Sequence, residues 1–316
     1  MVDKRIAEFA PGDKITAFFA VRRAALKESY RGPFVSLELG DNTGRIAAVQ
    51  WDTDQFSLTE LEEGMVVKIR GTVGEYQNRP QLVVEKMRPA KDDEYRLEDI
   101  LPHSSVPLEQ RRARVLSFLE KVENSYVRSL LDAFFGDAAF LDNYLRAAAG
   151  KLWHHAYVGG LSEHSANVTD LAVKVAVGYD FLDRDLLIFG GLLHDAGKIA
   201  QYDIGASIDY SDRGRLLGHI NLADEWVCEK AAGIENFPEA LLTKLRHMIL
   251  SHHGEMAYGA PVVPQLPEAF VLYYCDEIDS KMGAIERIRN KSGGSGWSEF
   301  VKMLDRYLYF GEKEGK

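Results

Sequence analysis

Histidine and aspartate stand side by side in the run Gly191-Leu192-Leu193-His194-Asp195-Ala196-Gly197-Lys198, at the end of an apolar stretch. The pair offers two kinds of metal-binding atom at one point. An imidazole nitrogen suits a transition ion, and a carboxylate can bridge two ions. Further histidines and aspartates flank it at spacings that allow convergence. Leu161, His164, Val168, Leu171 and Val175 recur at helical intervals and put His164 on one inward stripe. Leu241, Leu245, Met248 and His252 form a second stripe, with His253 following the Leu242 and Ile249 row. On a third, Leu272, Asp276 and Asp279 set two carboxylates on the apolar side of a helix. His219 opens another helix in Gly218-His219-Ile220-Asn221-Leu222. A single core histidine is ordinarily satisfied by a backbone carbonyl. Five of the nine histidines, with aspartates from two helices, would make a costly core, because unpartnered buried polar groups lose free energy. A shared metal centre accounts for all of them with one cause.

Two divalent ions about 3.5–4 Å apart lower the pKa of a shared water, polarise a phosphate oxygen and stabilise charge on a leaving oxygen. Mixed nitrogen and oxygen ligands make Mn²⁺ the best match, with Co²⁺, Fe²⁺, Ni²⁺ or Mg²⁺ as alternatives. No cysteine joins the set, which disfavours a structural zinc site. Lys198 follows Asp195 by three positions and shares its face if the helix persists, so it is a candidate for a phosphate oxygen or the bridging water. Asp279 is a candidate for orienting a ligand histidine, and His155 for contacting substrate phosphate or capping a turn. His154 and His247 read as ordinary histidines.

The elements that must carry these residues fall into two blocks. The first ninety residues read as short strands: Lys14 to Val21, Pro33 to Leu39, Arg45 to Trp51, Met65 to Val73 and Gln81 to Lys86. Asp41-Asn42-Thr43-Gly44 is a turn signal, and Thr59 to Glu63 reads as a helical piece. This pattern matches an all-β, five-stranded Greek-key barrel of the OB type. Such barrels bind single strands through a basic groove and stacked aromatics, which selects Lys27, Tyr30 and Arg31 in the first loop and Tyr76, Asn78 and Arg79 in a later hairpin. From Arg88 to Leu101 the charged, proline-flanked chain reads as a linker. Beyond Val106 the apolar period is helical throughout. The expected division is therefore 1–90 for the barrel, 91–145 for linker and leading helices, and 146–316 for an all-α domain with the metal ligands.

The order His164, His194-Asp195, His219, His252-His253, Asp276, together with the HDxGK form, resembles the HD superfamily of metal-dependent phosphohydrolases. That resemblance implies an all-helical ligand core in which His164, His194, Asp195 and Asp276 hold one ion. It also implies that Asp195, the expected catalytic carboxylate, bridges to a second ion on His219, His252 and His253. Whether both adjacent histidines bind is open, since neighbours on a helix point about 100° apart. The segment His155-Ala156-Tyr157-Val158-Gly159-Gly160-Leu161-Ser162-Glu163-His164, the run Ser251-His252-His253-Gly254, and the barrel ahead of the HD core resemble YhaM-type 3′→5′ exoribonucleases over nearly the whole chain. What this implies is release of nucleoside 5′-monophosphates from single-stranded RNA, with single-stranded DNA as a second candidate substrate. The rivals are an HD-type nucleotide or cyclic-nucleotide phosphohydrolase, and a non-catalytic RNA-binding scaffold.

Composition fits these expectations without selecting among them. The chain has 316 residues, 46% of them hydrophobic, and a net charge of -10, which disfavours a wholly basic nucleic-acid-coating protein. Cys228 and Cys275 form no disulfide framework or CxxC motif, and the N-terminus lacks an apolar leader, so the cytoplasm is the expected compartment. No apolar run suggests a membrane partner. A second copy of the chain is a further candidate partner.

Overall fold

The computed structural model describes residues 4–30, 32–51, 61–77, 79–91, 93–151 and 155–312. Of the sequence expectations, those on Arg31, Asn78, His154, Thr59 and Glu60 lie outside the described residues. The chain divides into two compact units, Met1–Ser105 with Asp203–Asp209, and Val106–Tyr202 with Tyr210–Lys316.

In the first unit, β1 (Lys14–Ser29), β2 (Gly32–Gly40), β3 (Arg45–Gln50), β4 (Val66–Tyr76) and β5 (Arg79–Pro89) close into a barrel. Its strand order is β1-β2-β3-β5-β4. Closure depends on the parallel β3–β5 pair, with Ala47 beside Gln81 and Val49 beside Val83. Alternation puts Val35, Leu37 and Leu39 inside with Phe19, Val21, Ile69 and Leu82. Each such aliphatic side chain contributes about 1.5–3 kcal/mol by leaving water.

The strands run longer than alternation alone predicts. β1 pairs with β4 through Lys14–Ala20 and with β2 through Ala20–Ser29, and its register shifts between Val21 and Arg23. A bulge there bends one strand into both sides of the barrel, and Arg22 and Arg23 break the apolar pattern at the bend. The Asp41 turn is as its sequence signal predicts: Asp41 Oδ1 accepts from the Thr43 amide at 2.7 Å and the Gly44 amide at 3.0 Å. Leu61 and Glu62 are not helical, and Glu63 and Gly64 form a turn.

The charged segment after β5 does not behave as a tether. It contains α1 (Leu97–Ile100), whose Ile100 is fully buried against Ala20 and Val66. Arg5 pairs with Asp99 at 2.6 Å, Asn42 donates to the Glu98 carbonyl at 2.8 Å, and Arg88 pairs with Glu94 at 2.6 Å. The charges that suggested a linker are used in local pairs on the barrel unit.

The second unit contains α2 (Leu108–Leu119), α3 (Ser125–Phe135), α4 (Ala138–Arg146), α5 (Gly160–Ala176), α6 (Arg184–Leu193), α7 (Lys198–Gln201), α8 (Asp212–Ala232), α9 (Glu239–Ser251) and α10 (Pro267–Lys291). Asn124, Asp137, Asp183 and Ser211 cap α3, α4, α6 and α8 with their side chains. In α6 every residue from Asp185 to Leu193 is buried, so the helix that leads to His194 is embedded on all sides. No helix among the described residues is long and apolar enough to cross a membrane. Between α7 and α8 the chain forms β6 (Tyr202–Ile204) and β7 (Ile208–Tyr210), a two-stranded sheet that the 3.6-residue period does not announce and whose Asp203–Asp209 segment belongs to the first unit.

Candidate metal centre

The residues that the apolar stripes singled out meet in the second unit. α5 contributes His164, the end of α6 contributes His194, and the turn after it contributes Asp195; all three are buried. His219 comes from within α8, directly after a kink at Gly218 with φ 72° and ψ 154°. His252 and His253 follow α9, and Asp276 lies on α10. Ligand atoms of His164, His194 and Asp276 lie within 4.8 Å of one another, and so do those of His219, His252 and His253.

Asp195 stands between the two trios. Its Oδ2 is 3.5 Å from His164 Nε2 and 3.5 Å from His194 Nε2. Its Oδ1 is 3.3 Å from His219 Nε2 and 3.7 Å from His252 Nε2. Asp195 Oδ1, His219 Nε2 and His252 Nε2 are buried without a hydrogen-bond partner. Leaving three such atoms unsatisfied is costly unless something binds between them.

The other face of each ring says what that something is. His194 Nδ1 lies 3.1 Å from the carbonyls of both Gly190 and Gly191, His252 Nδ1 2.6 Å from the Ile249 carbonyl, and His253 Nδ1 2.8 Å from the Tyr258 carbonyl. His219 Nδ1 lies 2.8 Å from Gln201 Oε1, and His164 Nδ1 2.7 Å from Asp279 Oδ2. A carbonyl or ionised carboxylate oxygen only accepts, so each Nδ1 carries a proton, and whenever the ring is neutral its unshared pair belongs to Nε2. The imidazoles of His164, His194, His219 and His252 thus turn Nε2 toward the Asp195 carboxylate, His253 joins His219 and His252, and all five anchor their backs, which is the arrangement of metal-binding histidines. The residues present fit divalent ions.

Charge is unevenly distributed over the site. Burial disfavours a charged His164, but the hydrogen bonds it donates to Asp276 and Asp279 outweigh it and raise its pKa to about 9. Asp276 sits 3.1 Å from His164 Nε2 and is held below the usual carboxylate range against its own burial. Burial, then the neighbouring His253, push His252 down to about 4, and burial also pushes His219 well below an ordinary histidine. Burial opposes ionisation of Asp195 too, but the Lys198 ammonium and then His194 keep it well below the ordinary range.

Lys198 reaches Asp195 by a different route from the one its spacing suggests. The helix does not persist: α6 ends at Leu193, a turn follows, and Lys198 begins α7. The Lys198 amide still donates to the Asp195 carbonyl at 2.9 Å, and Lys198 Nζ lies 2.6 Å from Asp195 Oδ2. Gly197 has a packing role, since a Cβ there would run into the His219 carbonyl and the Ala223 amide. His252 is the C-cap of α9, still in helical backbone, and His253 follows it; their ring centroids lie 4.5 Å apart and both offer ligand atoms beside His219. Asp279 and His155 form an outer layer. Asp279 Oδ2 is shared by His164 Nδ1 and, at 2.9 Å, by His155 Nε2, while His155 Nδ1 meets the Tyr157 hydroxyl at 2.7 Å.

Gln201 escapes a reading of the sequence, because a lone amide has no period and no charge. It is buried at the end of α7 and contacts His219.

A second candidate surface lies on the barrel. A cleft of about 610 Å³ is lined by Arg23, Lys27, Arg45 and Arg79, among others, with Glu38 paired to Arg45 at 2.7 Å. Lys27 and Arg79, which the sequence placed in two loops, share this cleft from strands instead, Lys27 in the extended β1 and Arg79 at the start of β5. Tyr30 and Tyr76 are exposed but do not line it. Arg23 and Arg45 are additions, and the alternation Arg23, Ala25, Lys27 could have revealed the first. Trp51 is half-exposed against Phe34, with ring centroids 5.0 Å apart, rather than in the barrel core.

Comparison with known proteins agrees with both units. Residues 161–281 match the HD domain family and residues 20–90 match the OB-fold nucleic acid binding domain family. A domain of replication protein A from Methanococcus maripaludis is 24% identical, over 28% of this chain and 97% of that one, with a TM-score of 0.25. A chain of a replication protein A heterotrimer bound to ssDNA is 27% identical, over 26% of this chain and 59% of that one, with a TM-score of 0.22. The 3′-5′ exoribonuclease YhaM of Bacillus velezensis is 31% identical over 305 residues, 95% of this chain and 95% of that protein. The chain belongs to the YhaM family of 3′-5′ exoribonucleases, metal-dependent hydrolases built on an HD domain.

Proposed function

We propose that this chain degrades single-stranded RNA from the 3′ end and releases nucleoside 5′-monophosphates. Two divalent ions, Mn²⁺ by preference, would be held by His164, His194, Asp195 and Asp276 on one side and by Asp195, His219, His252 and His253 on the other. The observation that carries this reading is the divided Asp195 carboxylate, with an oxygen toward each trio of ligands. When bound, the ions supply Lewis-acid polarisation of a phosphate oxygen and a water acidic enough to attack at neutral pH.

The chain's own residues supply the rest. Asp195 stays ionised beside Lys198, and Lys198 is assigned to charge that develops on phosphate oxygens. The backbone and amide acceptors behind His194, His219, His252 and His253 fix ring orientation before substrate arrives. Lys27, Arg79, Arg23 and Arg45 are assigned to the RNA backbone, where arginine and lysine position a strand without reading its bases. Tyr30, Tyr76, Arg31 and Asn78 complete the proposed contact set. Single-stranded DNA fits the same cleft chemistry, and cytoplasmic residence accords with two free cysteines.

The test uses 3′- and 5′-labelled RNA, the matching DNA and free nucleotides, each with a panel of divalent ions. Stepwise shortening from the 3′ end with monophosphate products is the expected result. Hydrolysis of free nucleotides alone would replace this reading by the nucleotide phosphohydrolase one. Binding of RNA without metal uptake or turnover would replace it by the scaffold one.

A further inference from the structure

We propose that Gln201 is a positioning residue for the second ion, and that it acts by selecting the tautomer and direction of His219. This rests on the two-ion reading above and deepens it. His219 is the one ligand delivered from the interior of a broken helix. At Gly218 the backbone of α8 leaves helical geometry, so the amide of His219 has no carbonyl of the preceding turn to receive it. Gln201 Oε1 accepts that amide at 2.7 Å and His219 Nδ1 at 2.8 Å. A backbone amide can only donate, which identifies the side-chain atom facing it as the amide oxygen. The same oxygen then requires a proton on His219 Nδ1, leaving Nε2 as the ligand atom, 3.3 Å from Asp195 Oδ1.

One side-chain oxygen therefore caps the second half of α8 and sets the coordinating nitrogen of its first residue. The support is itself rigid. Gln201 is 5% exposed, and its backbone carbonyl accepts from Ser211 at 3.0 Å. The Ser211 hydroxyl ties α7 to α8, donating to the Ala200 carbonyl at 2.6 Å and accepting from Gly214 at 2.8 Å. A Cβ on Gly214 would strike the Gln201 backbone, so the two helices meet closely at this point. The other four histidines of the centre take their Nδ1 acceptors from backbone carbonyls or from Asp279. His219 alone depends on a neutral side chain, and this ligand is accordingly the one that a single substitution can misdirect.

The experiment compares Gln201→Met, which keeps length and loses the oxygen, with Gln201→Glu, which keeps an oxygen for both donors. His219→Ala serves as the reference. Three quantities are read: Mn²⁺ stoichiometry and affinity by calorimetry, the His219 tautomer in metal-free protein by long-range ¹H–¹⁵N spectra, and kcat and KM on labelled RNA. Gln201→Met should weaken one of two Mn²⁺ equivalents by about 10–100-fold. It should also mix the His219 tautomers and lower kcat while leaving KM for RNA within about twofold. Gln201→Glu should retain the Nδ1-protonated tautomer and both equivalents. If Gln201→Met is too unstable to purify, Gln201→Asn, with an amide one methylene too short, should give the same pattern. If His219→Ala loses an ion but the Gln201 variants keep wild-type affinity and tautomer, the Gln201 proposal is overturned alone. If His219→Ala keeps both ions, the two-ion reading falls and takes this proposal with it.

Discussion

The two halves of the metal centre share Asp195 and differ in nearly everything else. The half formed by His164, His194 and Asp276 is rich in carboxylates, with Asp279 behind His164 and His155 behind Asp279. The half formed by His219, His252 and His253 has three imidazoles backed by uncharged oxygens. The consequence appears in the proton affinities, His164 raised to about 9 and His252 lowered to about 4. One half attracts positive charge strongly enough to hold a proton where an ion would sit. In the other, His219 and His252 present neutral lone pairs at ordinary pH, and that half depends on Asp195 for its negative charge. Equal numbers of ligand residues do not make equal sites. Burial and the charged groups around each ring set the difference.

The largest expected effect removes what the halves share. Asp195→Ala should lose both ions by elemental analysis and lower exonuclease turnover by about 10³-fold or more. Retention of one tightly bound ion would show that the halves are independent. Next come paired single-half variants. Asp276→Asn and His252→Ala should each remove one ion and cost about 10²-fold in kcat, with Asp276→Asn also lowering the His164 pKa. If either variant lost both ions, the division between the halves would fail.

A smaller effect is expected from Asp279→Asn, which keeps the shape but removes the charge behind His164. Metal affinity at that half should fall by about 10-fold with the other half unchanged. Calorimetry resolves the two. The smallest effect concerns protons in metal-free protein. The folded pKa of His164 lies above the ordinary 6.5, so its contribution to stability is complete below 6.5 and is lost as pH rises through about 9. The folded pKa of His252 lies below 6.5, so its contribution is present above 6.5 and is lost as pH falls through about 4. Urea unfolding of chelator-treated protein between pH 4 and 10 should show both slopes. A flat profile above pH 7 would deny the carboxylate half its special character.

Much of this centre was legible because polar residues interrupted apolar stripes. His164, His252 and Asp276 each stand where a helix otherwise places leucine or valine, and such an exception demands a partner. Lys198 was legible by spacing although the helix assumed for it ends at Leu193. A tight turn also brings residues three apart together. The barrel was legible from alternation, but the far half of β1 was not, because the bulge at Val21 and Arg23 reverses which residues face inward. The hairpin of β6 and β7 was hidden because three-residue strands are too short to establish a period. Gln201 left no trace at all. Its importance comes from where His219 lies in space, eighteen positions away, and a pattern of neighbours along the chain contains no such information.

The bent first strand has a mechanical consequence. Arg23 and Lys27, which line the basic cleft, belong to the same continuous β1 that seals the barrel against β4 through Lys14–Ala20. The β1 wall of the cleft and the barrel seam are one piece of backbone, so moving that wall disturbs the strand pairing that closes the barrel. Amides of Arg23 to Lys27 that are paired in β1–β2 should therefore exchange with solvent only as the barrel unfolds, with or without RNA. For a strand that lies in this cleft as proposed, the β1 wall would be a fixed template rather than a clamp.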